Sequence, residues 1–160
     1  MNVATSSPLP SRLAVRNLLE GLVGRDVTVN DGNPLSADGN VVAVYVTDAM
    51  VLSAVAVVDI AAGARLGGAL AMLPKGGIDD AIADKDMFPT LRECCYEILN
   101  VLSAVFNVPG APHVKLDRMI APGEACPADV AALAATMGNR EDLTVDVAGY
   151  GPGILSIVCR

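Results

Sequence analysis

Along the chain, hydrophobic and polar positions change period several times, and each change marks an element. Leu13, Leu18, Leu19, Leu22 and Val23 recur at helical spacing, after Ser11 as a natural N-cap and before Gly24 as a natural stop. DVTVN, residues 26–30, alternates as a half-buried strand does, and the following DGNPLSADGN has the composition of a loop. VVAVYVTD and MVLSAVAVVD are apolar, β-branched runs that meet around Asp48, Ala49 and Met50, which predicts a hairpin. Helical spacing returns from Ile60 to Met72 and ends at LPKGG. Asp79 to Asp86 reads as a polar approach to a long helix with Pro89 near its first turn.

Beyond that helix, VPGAPH predicts a turn and VKLDRMI a strand running towards Pro122. Pro127 opens a short alanine-rich helix closed by Gly138 and Asn139. LTVDVA and ILSIVC are the last two strands, with GYGPG as turn chemistry between them. Neighbouring strands without crossover helices form a largely antiparallel sheet. The expected fold class is therefore α+β, with helices packed on that sheet. A single domain is expected over residues 1–160, with residues 1–10 as a flexible N-terminus.

Hydrophobic residues make up 52% of the chain but aromatics only 3%, so the core is expected to be built from small, closely packed side chains. The net charge of -7, without any basic run, argues against nucleic acid and against anionic membranes as partners. Cys94 and Cys95 are adjacent, Cys126 and Cys159 lie far off, and there is one histidine. That pattern predicts neither a disulfide framework nor a metal site. His113, beside Pro112, reads as a turn or strand-edge residue rather than a catalytic base. The glycines of GARLGGAL lack P-loop or dinucleotide spacing, and inside a helix they point to close helix packing. There is no basic-then-apolar leader and no run of roughly 20 apolar residues, so a cytoplasmic location is expected.

The informative stretch is ECCYEILNVLSAVFN, residues 93–107. Leu91, Cys95, Ile98, Leu102 and Val105 form a continuous apolar face at helical spacing. Opposite them, Glu93, Glu97, Asn100 and Asn107 fall at offsets of four, seven and fourteen, which on a helix is one narrow stripe. Asn is a mediocre helix-interior residue, because its amide competes for backbone hydrogen bonds. Taken alone, the stripe is equally the solvated face of a core helix.

The larger pattern resembles the signature of the CheC/CheX/FliY-type chemotaxis phosphatases. That signature runs as an acidic residue or serine, three residues, Glu, two residues, Asn, twenty-one residues, Pro. Here Glu93, Glu97 and Asn100 keep those spacings, and twenty-one residues separate Asn100 from Pro122. A single copy of the motif is present, as in CheX. The resemblance implies a CheX-like domain that hydrolyses the aspartyl phosphate of a CheY-like response regulator. Asn100 then matches the residue that positions the attacking water, and Glu97 the acid that engages the regulator's lysine. Glu93 and Pro122 match partner-binding positions. The family chemistry needs no cofactor of this chain's own, since Mg2+ is supplied by the regulator, and a homodimer is implied. Relatives usually carry Gly before the Asn. Leu99 stands there in this chain, and its bulk is expected to crowd the approach to Asn100. Two other readings remain open from sequence: a non-catalytic CheX-like dimerisation or binding module, and a small-molecule sensor using a cavity among the small core residues.

Overall fold

The protein was analysed as a computed structural model that describes residues 7–160. Helix α1 (Arg12–Val23) begins where the Ser11 hydroxyl accepts the Ala14 N–H at 3.1 Å and ends at Gly24, in the left-handed conformation at φ 69°. It buries Val15, Leu19 and Val23. The Glu20 carboxylate accepts the Val27 N–H, which fixes the turn into β1 (Val27–Asp31).

Strands β2 (Val41–Thr47) and β3 (Leu52–Val58) form the expected hairpin, with Met50 at φ 63° in its connection. They are followed by helices α2 (Ile60–Leu70), α3 (Lys75–Asp84) and α4 (Pro89–Leu102). A 3-10 turn over Ser103–Phe106 leads to β4 (Val114–Ile120), α5 (Ala128–Ala134), β5 (Arg140–Val147) and β6 (Gly151–Cys159). Among the described residues, six strands form one antiparallel sheet in the order β1-β5-β6-β3-β2-β4. The helices packed on this sheet make the α+β plan read from the sequence.

The apolar strands β2 and β3 do not alternate, because both of their faces are covered. Val41, Ala43, Tyr45, Ala54, Ala56 and Val58 belong to the core under α1, α2 and α4. Val42, Val44, Val46, Val55 and Val57 belong to a second cluster, with Val130 and Leu133 of α5. Alanines on the first face leave room for α2, and the glycines of α2 carry the approach further. A methyl group at Gly67 would lie 3.0 Å from the Cys95 nitrogen and 3.2 Å from the Leu91 carbonyl. One at Gly153 on β6 would overlap the backbone of Ala62. The small residues are thus used in close contacts between elements, as the glycine pattern predicted.

Three sequence expectations change. Asp79 to Asp86, expected as a polar approach, is helical as far as Asp84 within α3, because Ile78, Ala81 and Ile82 give that helix an apolar ridge, with Ile78 seated on Gly68 of α2. GYGPG is a turn only through Tyr150, since β6 begins at Gly151. Within residues 7–10, assigned to a flexible N-terminus, Ser7 and Pro10 are buried while Pro8 is exposed. Ser7 is buried with its hydroxyl 2.7 Å from that of Ser53, and the Cys159 thiol donates to the Pro8 carbonyl. Residues 1–6 of that expectation lie outside the described residues.

Candidate functional site

Pro89 occupies the first turn of α4, where its missing N–H costs no intrahelical bond. Leu91, Cys95, Ile98, Leu99 and Leu102 are buried. Arg92, Glu93, Tyr96, Glu97 and Asn100 are exposed on the opposite side. Glu97 and Asn100 therefore stand one turn apart on a rigid, packed helix. Among the described residues, no hydrogen bond or ion pair engages the side chains of Glu93, Glu97 or Asn100. Two carboxylates four residues apart repel one another, at a cost of about 0.2–0.5 kcal/mol to the helix. The charge also acts locally. The Cys94 thiol is raised above its ordinary range, first by burial and then by Glu93 and Glu97.

Leu99 does not crowd Asn100. It points into the core at 1% exposure, and its carbonyl accepts the hydroxyl of buried Tyr45 at 2.6 Å. Tyr45 packs in turn on Phe106, with ring centroids 5.0 Å apart. Strand β2 thus holds the backbone immediately before Asn100, a contact across 54 residues that no local pattern announces. The inward direction of Leu99 was readable, since it lies four residues beyond Cys95 and three before Leu102.

Asn107 leaves the stripe. The α-helix ends at Leu102, and Asn107 spends both ends of its amide on Val114, donating to its carbonyl at 3.0 Å and accepting its N–H at 2.9 Å. Its role is to fasten the start of β4.

β4 then runs back alongside α4. Seven residues of strand cover about 23 Å, enough to return past the whole of a 14-residue helix rising about 21 Å. Pro122 accordingly lies near the start of α4. It lines a cleft of about 140 Å³ together with Met87, Arg92, Met119, Val41 and Ile60. Glu124 holds its turn: one carboxylate oxygen accepts the Ala121 N–H at 3.0 Å, and the other pairs with Arg92 at 3.1 Å. Pro122 is thus tied to the residue that precedes Glu93.

His113 pairs with Asp48 at 3.0 Å at the exposed end of the β2–β3 hairpin. Among the described residues, no three His, Cys, Asp or Glu side chains gather as a metal site. No helix among them is long and apolar enough to cross a membrane.

No family model matches the sequence, and no curated protein sequence matches it either. Solved structures do. The chain is similar to FliM of H. pylori in a FliM–SpeE complex, with a TM-score of 0.60 and 7% identity over 91% of this chain and 79% of that one. It is similar to FliM in the FliG–FliM complex from H. pylori, with a TM-score of 0.53 and 7% identity over 92% and 85%. CheX of Borrelia burgdorferi, in a complex with CheY, BeF3 and Mg, matches at a TM-score of 0.50 and 13% identity over 92% and 93%. The fold is of the CheX and FliM type.

Proposed function

We propose that this chain is a cytoplasmic CheX-like phosphatase that hydrolyses the aspartyl phosphate of a CheY-like response regulator. The observation that carries the reading is the pairing of Glu97 and Asn100, exposed, free of partners among the described residues, and one turn apart on a helix braced by Tyr45. An acyl phosphate already has a good leaving group, so hydrolysis asks for positioning and charge neutralisation and needs no covalent nucleophile. The Asn100 carboxamide accepts from and donates to water, holding its oxygen in line with phosphorus. As the water oxygen bonds to phosphorus, the acyl P–O bond breaks. Inorganic phosphate leaves, and the regulator recovers its carboxylate. Glu97 engages the regulator's lysine and sets the register of the two proteins. Glu93 and Pro122 flank the contact, and Mg2+ belongs to the regulator.

Phosphate release from a phosphorylated CheY-like regulator tests this. Asn100→Ala is expected to slow release by roughly 10²–10³-fold while leaving affinity for the regulator nearly intact. Glu97→Ala is expected to weaken binding as well, with the binding part fading as salt rises. Equal release rates for Asn100→Ala and the parent would overturn the catalytic assignment.

A second reading is a non-catalytic binding module. It is favoured by the FliM structures, which match at TM-scores of 0.60 and 0.53 and were solved with SpeE and FliG. On that reading the regulator's phosphate lifetime is the same with and without this chain. Either role is compatible with a two-fold homodimer formed through sheet edges, where β1 and β4 are the outermost strands.

A further inference from the structure

Aromatic residues are scarce here: three Tyr, two Phe and no Trp. Tyr45, Phe106 and Tyr150 are in the core. The other two, Phe88 at 36% exposure and Tyr96 at 41%, both belong to α4 or its N-cap. Their spacing is regular. Phe88, Arg92, Tyr96 and Asn100 follow one another at intervals of four, which makes a single ridge along the helix, and Glu93 with Glu97 forms the ridge beside it. An aromatic side chain therefore stands one turn before the candidate water-positioning residue and next to the candidate docking acid.

We propose that Tyr96 is the anchor by which α4 docks on the receiver domain of a CheY-like regulator, with Phe88 as a peripheral contact two turns away. The inference rests on the reading of Glu97 and Asn100 given above and extends it to affinity and specificity. Tyrosine suits the task because its large flat surface is ordered at the loss of only two side-chain torsions, and interface hot spots are enriched in it. Charge complementarity selects the occupant. Glu93 and Glu97 offer two unneutralised carboxylates beside the ring, so the complementary group is a cation on a flexible stem. A lysine reaching Glu97 passes the Tyr96 ring, where its methylenes pack on the face and its ammonium gains a cation–π contact. A surface lacking that lysine leaves both carboxylates unpaired against it, which is how the ridge discriminates between partners.

The test is calorimetric titration of a magnesium-loaded, beryllofluoride-activated CheY-like receiver domain into the parent chain, Tyr96→Ala and Tyr96→Phe. Tyr96→Ala is expected to raise Kd by about tenfold or more, and Tyr96→Phe, which keeps the ring face, by less than about threefold. Thermal melting should be unchanged in both, since the side chain is exposed. If the parent binds and Tyr96→Ala binds equally well, the anchor assignment is wrong and Tyr96 is a solvated surface residue, while the reading of Glu97 and Asn100 stands. If Tyr96→Ala lowers the oligomeric state without changing Kd, the ridge serves a second copy of this chain, and the anchor assignment again fails. If the parent binds no activated receiver domain, both proposals fall together.

Discussion

Leu99 and Asn100 are adjacent in the chain and opposite in environment, and substitutions at the two should behave accordingly. Asn100 faces water, where substitutions seldom exceed about 0.5 kcal/mol in stability, so Asn100→Ala should alter phosphate release without altering the melting temperature. Leu99→Gly would bring the chain closer to the signature it resembles, and from sequence its stability cost would be about 1 kcal/mol for glycine in a helix. Burial at 1% exposure raises that figure, because truncating a core leucine adds about 2–5 kcal/mol. Urea denaturation should therefore show Leu99→Gly destabilised by about 3 kcal/mol or more, and no gain in activity is expected from it. Tyr45→Phe removes the hydroxyl that the Leu99 carbonyl accepts. A loss of about 1–2 kcal/mol is expected, together with slower phosphate release from a less firmly held Asn100.

Among the helices, α2 and α3 give opposite expectations for the same substitution. Gly67→Ala improves helix propensity by about 1 kcal/mol, but its methyl group meets the backbone of α4 at 3.0 Å and 3.2 Å. Backbone cannot step aside as a side-chain tip can. Overpacking of about 1–3 kcal/mol should therefore win, lowering the melting temperature and shifting α4 together with the stripe it carries. Gly76→Ala and Gly77→Ala, in the first turn of α3, meet nothing within 4 Å. Each should raise stability by up to about 1 kcal/mol, measurable as a higher urea midpoint. A gain from Gly67→Ala would show that the α2–α4 contact is looser than its geometry indicates.

For the protein taken together, pH and association are the informative variables. Burial pushes the Cys95 thiol up to about 12, and burial likewise raises the Tyr45 phenol. Both groups are thus held neutral in the folded state, whereas the unfolded chain releases these protons at about pH 8.5 and 10. Between those values and the folded ones, the unfolded state binds fewer protons, so stability falls as pH rises. These two groups add no slope below about pH 8 and lower stability above about pH 9, at up to about 1.4 kcal/mol per pH unit for each. Cys95→Ala should flatten the slope measured by urea unfolding at pH 8, 9 and 10. The proposed homodimer predicts a light-scattering mass twice that of the chain at micromolar concentration. A purely monomeric profile would remove the dimer and leave the α4 site untouched.

Much of this protein was legible in its sequence, because much of it is governed by neighbours in the chain. Ser11 and Gly24 bound α1, the β-branched runs on either side of Asp48–Met50 form the hairpin, and the polar stripe of Glu93, Glu97 and Asn100 faces water. Capping, turn geometry and hydrophobic period act over a few residues, and so they can be read there. Helix α3 escaped because its apolar ridge is short and its stability comes from Ile78 resting on Gly68 of another helix. Asn107 was assigned to the stripe by arithmetic that holds only while the helix continues; the structure ends it at Leu102 and turns the amide to Val114. The Tyr45–Leu99 bond, the Arg92–Glu124 pair and the return of Pro122 to the start of α4 join residues 54, 32 and about 30 positions apart. Such contacts depend on how layers stack and how far β4 travels back along α4. Only the folded chain, where burial and strand length act together, decides them.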